Sequence, residues 1–312
     1  VKQVKLVDRT FNCKKDHAIN IVKYIISKKS KTNFHFEISA DLLDDEFIAL
    51  LNSAPLGMFQ LEIGVQSTNL STLAEIKRNT SLDRLYENIK KLLKQNNMHI
   101  HLDLIAGLPY EDLNSFAKSF NDVYLLKPHM LQLGFLKLLK GSGIRNKVEY
   151  YSIEFNNHTP YEILKSKWIN YDEMLILKDV EKLLENYYNS GKFTNSLRYI
   201  IKNYYNNPFA FYRQFALFWN EKNYFDRPRP LNDLYIILAE YISTVHRMDL
   251  SFEELLRYDF VLNNKNSGVP LTIIKDYSIE YKEKIHLFLK DYNNLQKYLP
   301  DYSNMNIKNI LK

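Results

Sequence analysis

The stretch His99–Glu111, "HIHLDLIAGLPYE", decides how the chain is read. Ile100, Leu102, Leu104 and Ala106 alternate with His99, His101 and Asp103, a period of two that marks a strand with one apolar and one polar face. Gly107 and Pro109 then halt it in a turn. The same alternation recurs in three other segments. Phe34, Phe36 and Ile38 oppose His35, Glu37 and Ser39; Phe59, Leu61, Ile63 and Val65 oppose Gln60, Glu62, Gly64 and Gln66; Leu131, Leu133 and Phe135 oppose Gln132, Gly134 and Leu136. A further strand is expected over Val4–Asp8. Amphipathic helical stretches separate them, among them "HAINIVKYIISK", "DEFIALLNSA", "LDRLYENIKKLLKQ" and "NSFAKSFNDVYLL". The order β, α, β, α implies parallel strands joined by crossovers.

Parallel strands covered by helices on both faces read as continuous apolar runs, and these do not. One apolar and one polar face predict a sheet curled into an incomplete barrel, with helices outside and a lumen that takes a polar ligand. Buried carboxylates such as Glu37, Glu62 and Asp103 would find partners in that ligand. A sheet with one face in water, or a barrel whose polar residues satisfy one another, is the other reading of the pattern. From about Pro160 long helical periodicity takes over, with Val180, Leu183, Leu184 and Tyr187 on one face and similar stripes in "PFAFYRQFALFW" and "LNDLYIILAEYI". The dense Tyr and Phe there fit core packing. "NNKNSGVP" (263–270) reads as a surface loop.

A chain of 312 residues with 46% hydrophobic side chains can bury one large core or two modest ones. No run approaches the roughly 18 apolar residues of a membrane span, and the first twenty residues lack the apolar core of a secretory signal, so a cytoplasmic location is expected. Cys13 is the single cysteine, which excludes intramolecular disulfides and a self-contained cluster of cysteine ligands. The net charge of +6 comes from lysines spread along the chain. This describes a solvated basic surface and argues against a nucleic-acid stripe. The chain begins at Val1 inside an apolar segment, from which a fragment of a longer parent is expected.

Gly64 leaves room in the lumen, and Gln66 offers both a donor and an acceptor to a hydroxylated ligand. Arg78, twelve residues beyond Gln66, is placed to clamp a carboxylate at the same mouth. His99 and His101 share a face but precede Asp103 toward the strand's N-terminal end, which favours a structural role over a metal pair. Cys13, with no identifiable base, reads as passive. No phosphate loop, dinucleotide fingerprint or serine nucleophile elbow is present.

Taken in order, "VKLVDRTFN", "FHFEISADLL", "FQLEIGVQSTN", "IHLDLIAGLPYE" and "LQLGFLKLLKGSGI" resemble strands of the radical S-adenosylmethionine enzyme barrel. The likeness is to cobalamin-associated Fe-S oxidoreductases of the anaerobic magnesium-protoporphyrin cyclase kind. "GVQSTN" and "DLIAGLP" are also similar to segments of oxygen-independent coproporphyrinogen oxidase. The resemblance implies an α/β fold: a partial parallel (β/α) barrel, TIM-barrel-like with its first strand missing, over residues 1–148, then an all-α C-terminal domain over 149–312. It implies that Glu37 and Arg78 engage the amino and carboxylate ends of S-adenosylmethionine, that Gln66 and Asp103 hold its ribose hydroxyls, and that Asp8, Arg9, Thr10 and Asn12 line the side of a small-molecule substrate. The family's glycine-rich motif for the methionine amino group is not recognisable, and its three-cysteine loop for a [4Fe-4S] cluster has no counterpart. A longer parent would then be an oxidoreductase or methyltransferase that cleaves S-adenosylmethionine reductively, with cobalamin as a further cofactor, while the fragment lacks the cluster and is inactive by itself. A non-catalytic module that recognises a protein or RNA partner is the alternative from another class.

Overall fold

The computed structural model describes residues 1–264, 270, 279–302 and 305–310. The loop expected over 263–270 lies for the most part outside them. The chain divides into two compact units, Val1–Ser267 and Gly268–Lys312.

In the first unit, β1 (Gln3–Lys5), β2 (Asn33–Ile38), β3 (Phe59–Gln66), β4 (His99–Ala106) and β5 (Met130–Phe135) form one sheet in chain order, every pair parallel. The sheet curls into a half-barrel with helices around it. Between the strands run α1 (Lys15–Ser27), α2 (Asp45–Asn52), α3 (Leu70–Glu75), α4 (Leu82–Gln95) and α5 (Leu113–Tyr124). The alternation read from the sequence sets the layers. Phe36, Leu61, Ile63, Leu102, Leu104 and Leu131 are buried on the helix side, where each side chain contributes about 1.5–3 kcal/mol by leaving water. The register aligns Glu37 with Glu62 and His101, and Gly64 with Asp103 and Gln132, so the polar residues share the opposite face.

Local chemistry starts and stops the helices. Asp44, Asn69, Ser81 and Asp112 each accept a hydrogen bond from a first-turn amide, satisfying donors that a helix leaves open. Asn96, at φ 51°, ends α4 in the left-handed region, and the next residue, Asn97, spans the carbonyls of Leu51 and Ala54 at 3.2 and 2.9 Å.

Two differences from the sequence reading stand out. β1 covers Gln3–Lys5 instead of Val4–Asp8; Val7 is 93% exposed, because no neighbour covers its apolar face. A short antiparallel hairpin, β6 (Glu154–Phe155) and β7 (Ile163–Lys165), straddles Pro160, where strand signals fade. Leu138 donates to the Tyr161 carbonyl (2.8 Å) and Ile163 to that of Leu136 (2.9 Å), which lays the hairpin against the chain leaving β5. Ile163 reaches the turn after β4, where a Cβ on Gly107 (φ +86°) would stand 2.9 Å from it. Only glycine satisfies both the backbone angle and that approach.

The helical part of this unit comprises α6 (Tyr171–Leu183), α7 (Thr194–Asn203), α8 (Pro208–Glu221), α9 (Leu231–Val245) and α10 (Leu250–Asn263). A capping box between Asn170 and Glu173 starts α6, and a π-helical segment, Leu184–Asn189, continues it. From that segment Asn189 turns its amide onto β5. Its Oδ1 accepts from the Leu131 amide at 3.0 Å and its Nδ2 donates to the Leu131 carbonyl at 2.9 Å. Phe120 of α5 meets Phe209 and Tyr212 of α8 with centroids 5.6 and 5.8 Å apart, so sheet and helices share one core.

In the second unit, α11 (Ile279–Lys290) and α12 (Tyr292–Tyr298) join at Asp291, whose side chain caps α12. None of the described helices is long and apolar enough to cross a membrane.

Candidate functional site on the polar face of the half-barrel

At its N-terminal end the polar face is occupied by pairs of its own residues. Lys5 Nζ lies 2.9 Å from Glu62 Oε2, and His35 Nε2 lies 2.9 Å from the same oxygen at an angle outside a regular hydrogen bond. Burial pushes the Glu62 carboxyl up, but Lys5 more than offsets this and holds it below the usual range. Burial and Lys5 lower the pKa of His35. His99 stacks near His129, centroids 5.2 Å apart, and burial together with that ring brings it down to about 4. These histidines form a neutral floor. No group of three or more His, Cys, Asp or Glu fit to hold a metal ion occurs among the described residues.

The C-terminal half differs. Burial, then the nearby charges of Glu62 and Asp103, raise the pKa of Glu37, a carboxylate short of a cation. His101 Nε2 lies 2.8 Å from Asp103 Oδ1, again off the angle of a regular hydrogen bond. Burial alone would lower the His101 pKa, and the Asp103 carboxylate carries it above its usual value. Arg78, on the segment after α3, reaches in and donates through Nη2 to the Gly64 carbonyl. Burial lowers the pKa of its guanidinium, opposed by Asp41, Glu37 and Asp103. Three of the four residues expected to hold S-adenosylmethionine, Glu37, Asp103 and Arg78, thus share one electrostatic neighbourhood.

Gln66, the fourth, closes β3 at a register shift with φ 68°, unusual for a residue with a side chain. Its Nε2 fills the space over Gly64, 2.1 Å from where a Cβ would stand, and its Oε1 is buried with no hydrogen-bond partner. An acceptor in that state lacks the donor its position calls for. Gly64→Ala is therefore expected to expel the Gln66 amide at a cost of about 1 kcal/mol or less, the displaced group being the end of a flexible chain. The Gln66 side-chain amide resonances would shift to solvent values; unchanged resonances would contradict this arrangement.

The substrate-side candidates lie on the segment between β1 and α1. Asp8 and Arg9 are exposed beyond β1. Thr10 precedes a single 3-10 turn, Phe11–Cys13, and Cys13 is exposed. Asn12 is buried and braces β2, donating to the Ser39 carbonyl at 2.8 Å and accepting from its amide at 2.9 Å.

Sequence reasoning missed two contributors. Asp41, in the turn after β2, accepts from the Ser39 hydroxyl at 2.6 Å and faces Arg78. Asn88 and Arg84 of α4 hold that turn through the carbonyls of Ala40 and Leu43. Glu111, the last residue of the opening stretch, is 1% exposed. Its Oε1 accepts from the hydroxyls of Ser67 (2.6 Å) and Ser119 (3.0 Å), joining the loops after β3 and β4 to α5. The sequence signal was an acid closing a turn, which is common on surfaces.

Comparison with known proteins adds three findings. A family model described as a protein of unknown function (DUF4080) matches residues 149–312, and the radical SAM superfamily model matches residues 1–123. The oxygen-independent coproporphyrinogen-III oxidase-like protein HemZ of Bacillus subtilis is 31% identical over 112 residues, which cover 35% of this chain and 22% of that protein. Among solved structures, the radical S-adenosylmethionine methyltransferase TsrM of Kitasatospora setae aligns with 14% identity and a TM-score of 0.41, over 52% of this chain and 33% of that one. Coproporphyrinogen III oxidase HemN of Escherichia coli aligns with 19% identity and a TM-score of 0.38, over 43% and 31%. The chain thus spans 22% of the curated relative's length.

Proposed function

Since this chain belongs to the DUF4080 family and carries a radical SAM superfamily domain in residues 1–123, we propose that the C-terminal half of its polar face holds S-adenosylmethionine. The observation that carries the reading is the convergence of Glu37, Asp103 and Arg78 beside the unpartnered, buried Gln66 Oε1. The donor set fits such a ligand. Glu37, short of a cation, suits an ammonium; Arg78 suits a carboxylate through its planar fork; Asp103 and Gln66 Oε1 suit ribose hydroxyls. When bound and reduced, S-adenosylmethionine supplies an adenosyl radical.

In this arrangement His101 lies beside one Asp103 carboxylate oxygen, 2.8 Å away, and leaves the other for a hydroxyl. The residues do not fit a [4Fe-4S] cluster: Cys13 is one thiolate where three are needed. No electron-transfer step is therefore assigned to them. Hydrogen abstraction or methyl transfer to a small molecule, with or without cobalamin, is proposed for the whole protein only.

Titration of the 312-residue chain with S-adenosylmethionine, followed by ligand-observed NMR, tests the site. Binding is expected to be weak, with Kd about 0.1–1 mM, and Asp103→Ala is expected to weaken it about tenfold, the loss of a charge-assisted hydrogen bond. Tight binding that survives Asp103→Ala would refute the assignment, and so would its complete absence in the unmodified chain.

A further inference from the structure

The geometry points to Glu111 as a positioning residue whose uncharged carboxyl locks the Gln66 loop in place, so that loop order and nucleoside binding fall away together as pH rises. The part concerning the nucleoside rests on the function proposed above; the lock itself does not.

The tie is built from three segments. Ser67 and Thr68 follow Gln66 directly, Glu111 belongs to the loop after β4, and Ser119 belongs to α5. Ser67 and Ser119 both donate to Glu111 Oε1. Ser119 Oγ accepts from the Thr68 amide at 3.0 Å, and Ser67 Oγ accepts from the Asn69 amide at 2.9 Å. Asn69 Nδ2 and Thr72 Oγ1 reach across to the carbonyls of Tyr110 and Pro109, each at 2.9 Å. The backbone holding Gln66 at its positive φ is thus fastened two residues downstream to a single carboxyl oxygen.

The other oxygen, Oε2, is buried and has no hydrogen-bond partner. An ionised carboxylate with one bare oxygen in that position pays far more for its lost hydration than a neutral carboxyl does. Burial pushes the group up to about 7, against the two serine hydroxyls, which favour the anion. The neighbouring charges do not relieve it. Asp112 is adjacent and acidic; Asp122 of α5 accepts from Thr68 Oγ1 at 2.9 Å and is also acidic; Tyr86 of α4, its phenol pushed up to about 12 by burial and Asp122, stays neutral.

The sign follows from the raised value. Between the ordinary carboxyl range and about 7 the folded loop keeps a proton that an opened loop gives up. Closure is therefore fully favoured at low pH and is weakened as pH rises through 7.

Two readouts in the intact chain test this. Hydrogen-exchange protection at the Thr68 and Asn69 amides, corrected for intrinsic exchange, is expected to drop about tenfold from pH 6 to pH 8.5. Glu111→Gln, uncharged at every pH, should hold protection constant over that range. Should that variant fail to fold, Asp112→Asn, which keeps a helix cap but removes a charge, should move the midpoint to lower pH. S-adenosylhomocysteine binding by NMR should follow the same profile in the unmodified chain and lose its pH dependence in Glu111→Gln. Protection that is flat in the unmodified chain, or equally pH-dependent in Glu111→Gln, overturns the lock. Protection that behaves as expected, with no ligand bound at either pH, leaves the lock standing and removes the nucleoside site.

Discussion

Asp259→Ala is expected to lower the thermal unfolding midpoint by about 6–12 °C, corresponding to about 3 kcal/mol in a unit of this size. Asp259, on α10, is 2% exposed. One carboxylate oxygen accepts from the Asn195 side chain at 2.8 Å; the other accepts from the Ser196 amide and hydroxyl at 2.8 and 2.7 Å. Phe193, in the N-cap position of α7, makes no side-chain cap bond, so α10 supplies the cap from a distance. Truncation leaves the Ser196 amide and hydroxyl buried without an acceptor, the expensive way to lose a hydrogen bond. Asp259→Asn, which keeps one acceptor, should lose about half as much. Calorimetry of the three proteins measures the series; an alanine variant that melts within 2 °C of the parent would show that α7 is capped by other means.

Phe120→Ala should cost about 3–5 kcal/mol, the range for emptying a fully buried phenylalanine site. Its importance lies in where the loss is felt. Phe120 is 0% exposed, stacks on Tyr124 of its own helix and meets Phe209 and Tyr212 edge-on. Phe209 is also tied to α5 through its amide, which donates to Asn121 Oδ1 at 2.8 Å. If sheet and helices share a core, hydrogen exchange in β3 and in α9 should accelerate together in the variant. Phe120→Leu, which refills most of the volume, should lose less than about 1.5 kcal/mol. Acceleration confined to α9 would mean that the two parts fold separately.

The strands of the half-barrel were legible because alternation is a local property. Four alternating segments between turn residues fix both the layers and the parallel order, and the helices over 15–27, 45–52, 82–95 and 113–124 follow from apolar residues recurring every three to four positions. Asp103, Glu37 and Gln66 could be read as facing one way because a strand's parity is in its sequence. What escaped was decided between segments. Whether Glu111 is a surface acid or a buried tie depends on Ser67 and Ser119, 44 and 8 residues away. Asp41 gains its place through Asn88 and Arg84, which hold its turn from another helix. β7 was hidden because its three residues lie just beyond a proline and its partner β6 is only two residues long, too short to show an alternation.

The Asn189 amide has one more implication. By bonding to both backbone groups of Leu131 it behaves as a one-residue strand, and the hairpin occupies Leu136 farther along. That flank is stoppered. Among the described residues the sheet can therefore lengthen in one direction only, beside β1, where Gln3 and Lys5 pair with β2 alone. Any chain segment that closed the ring would have to seat there.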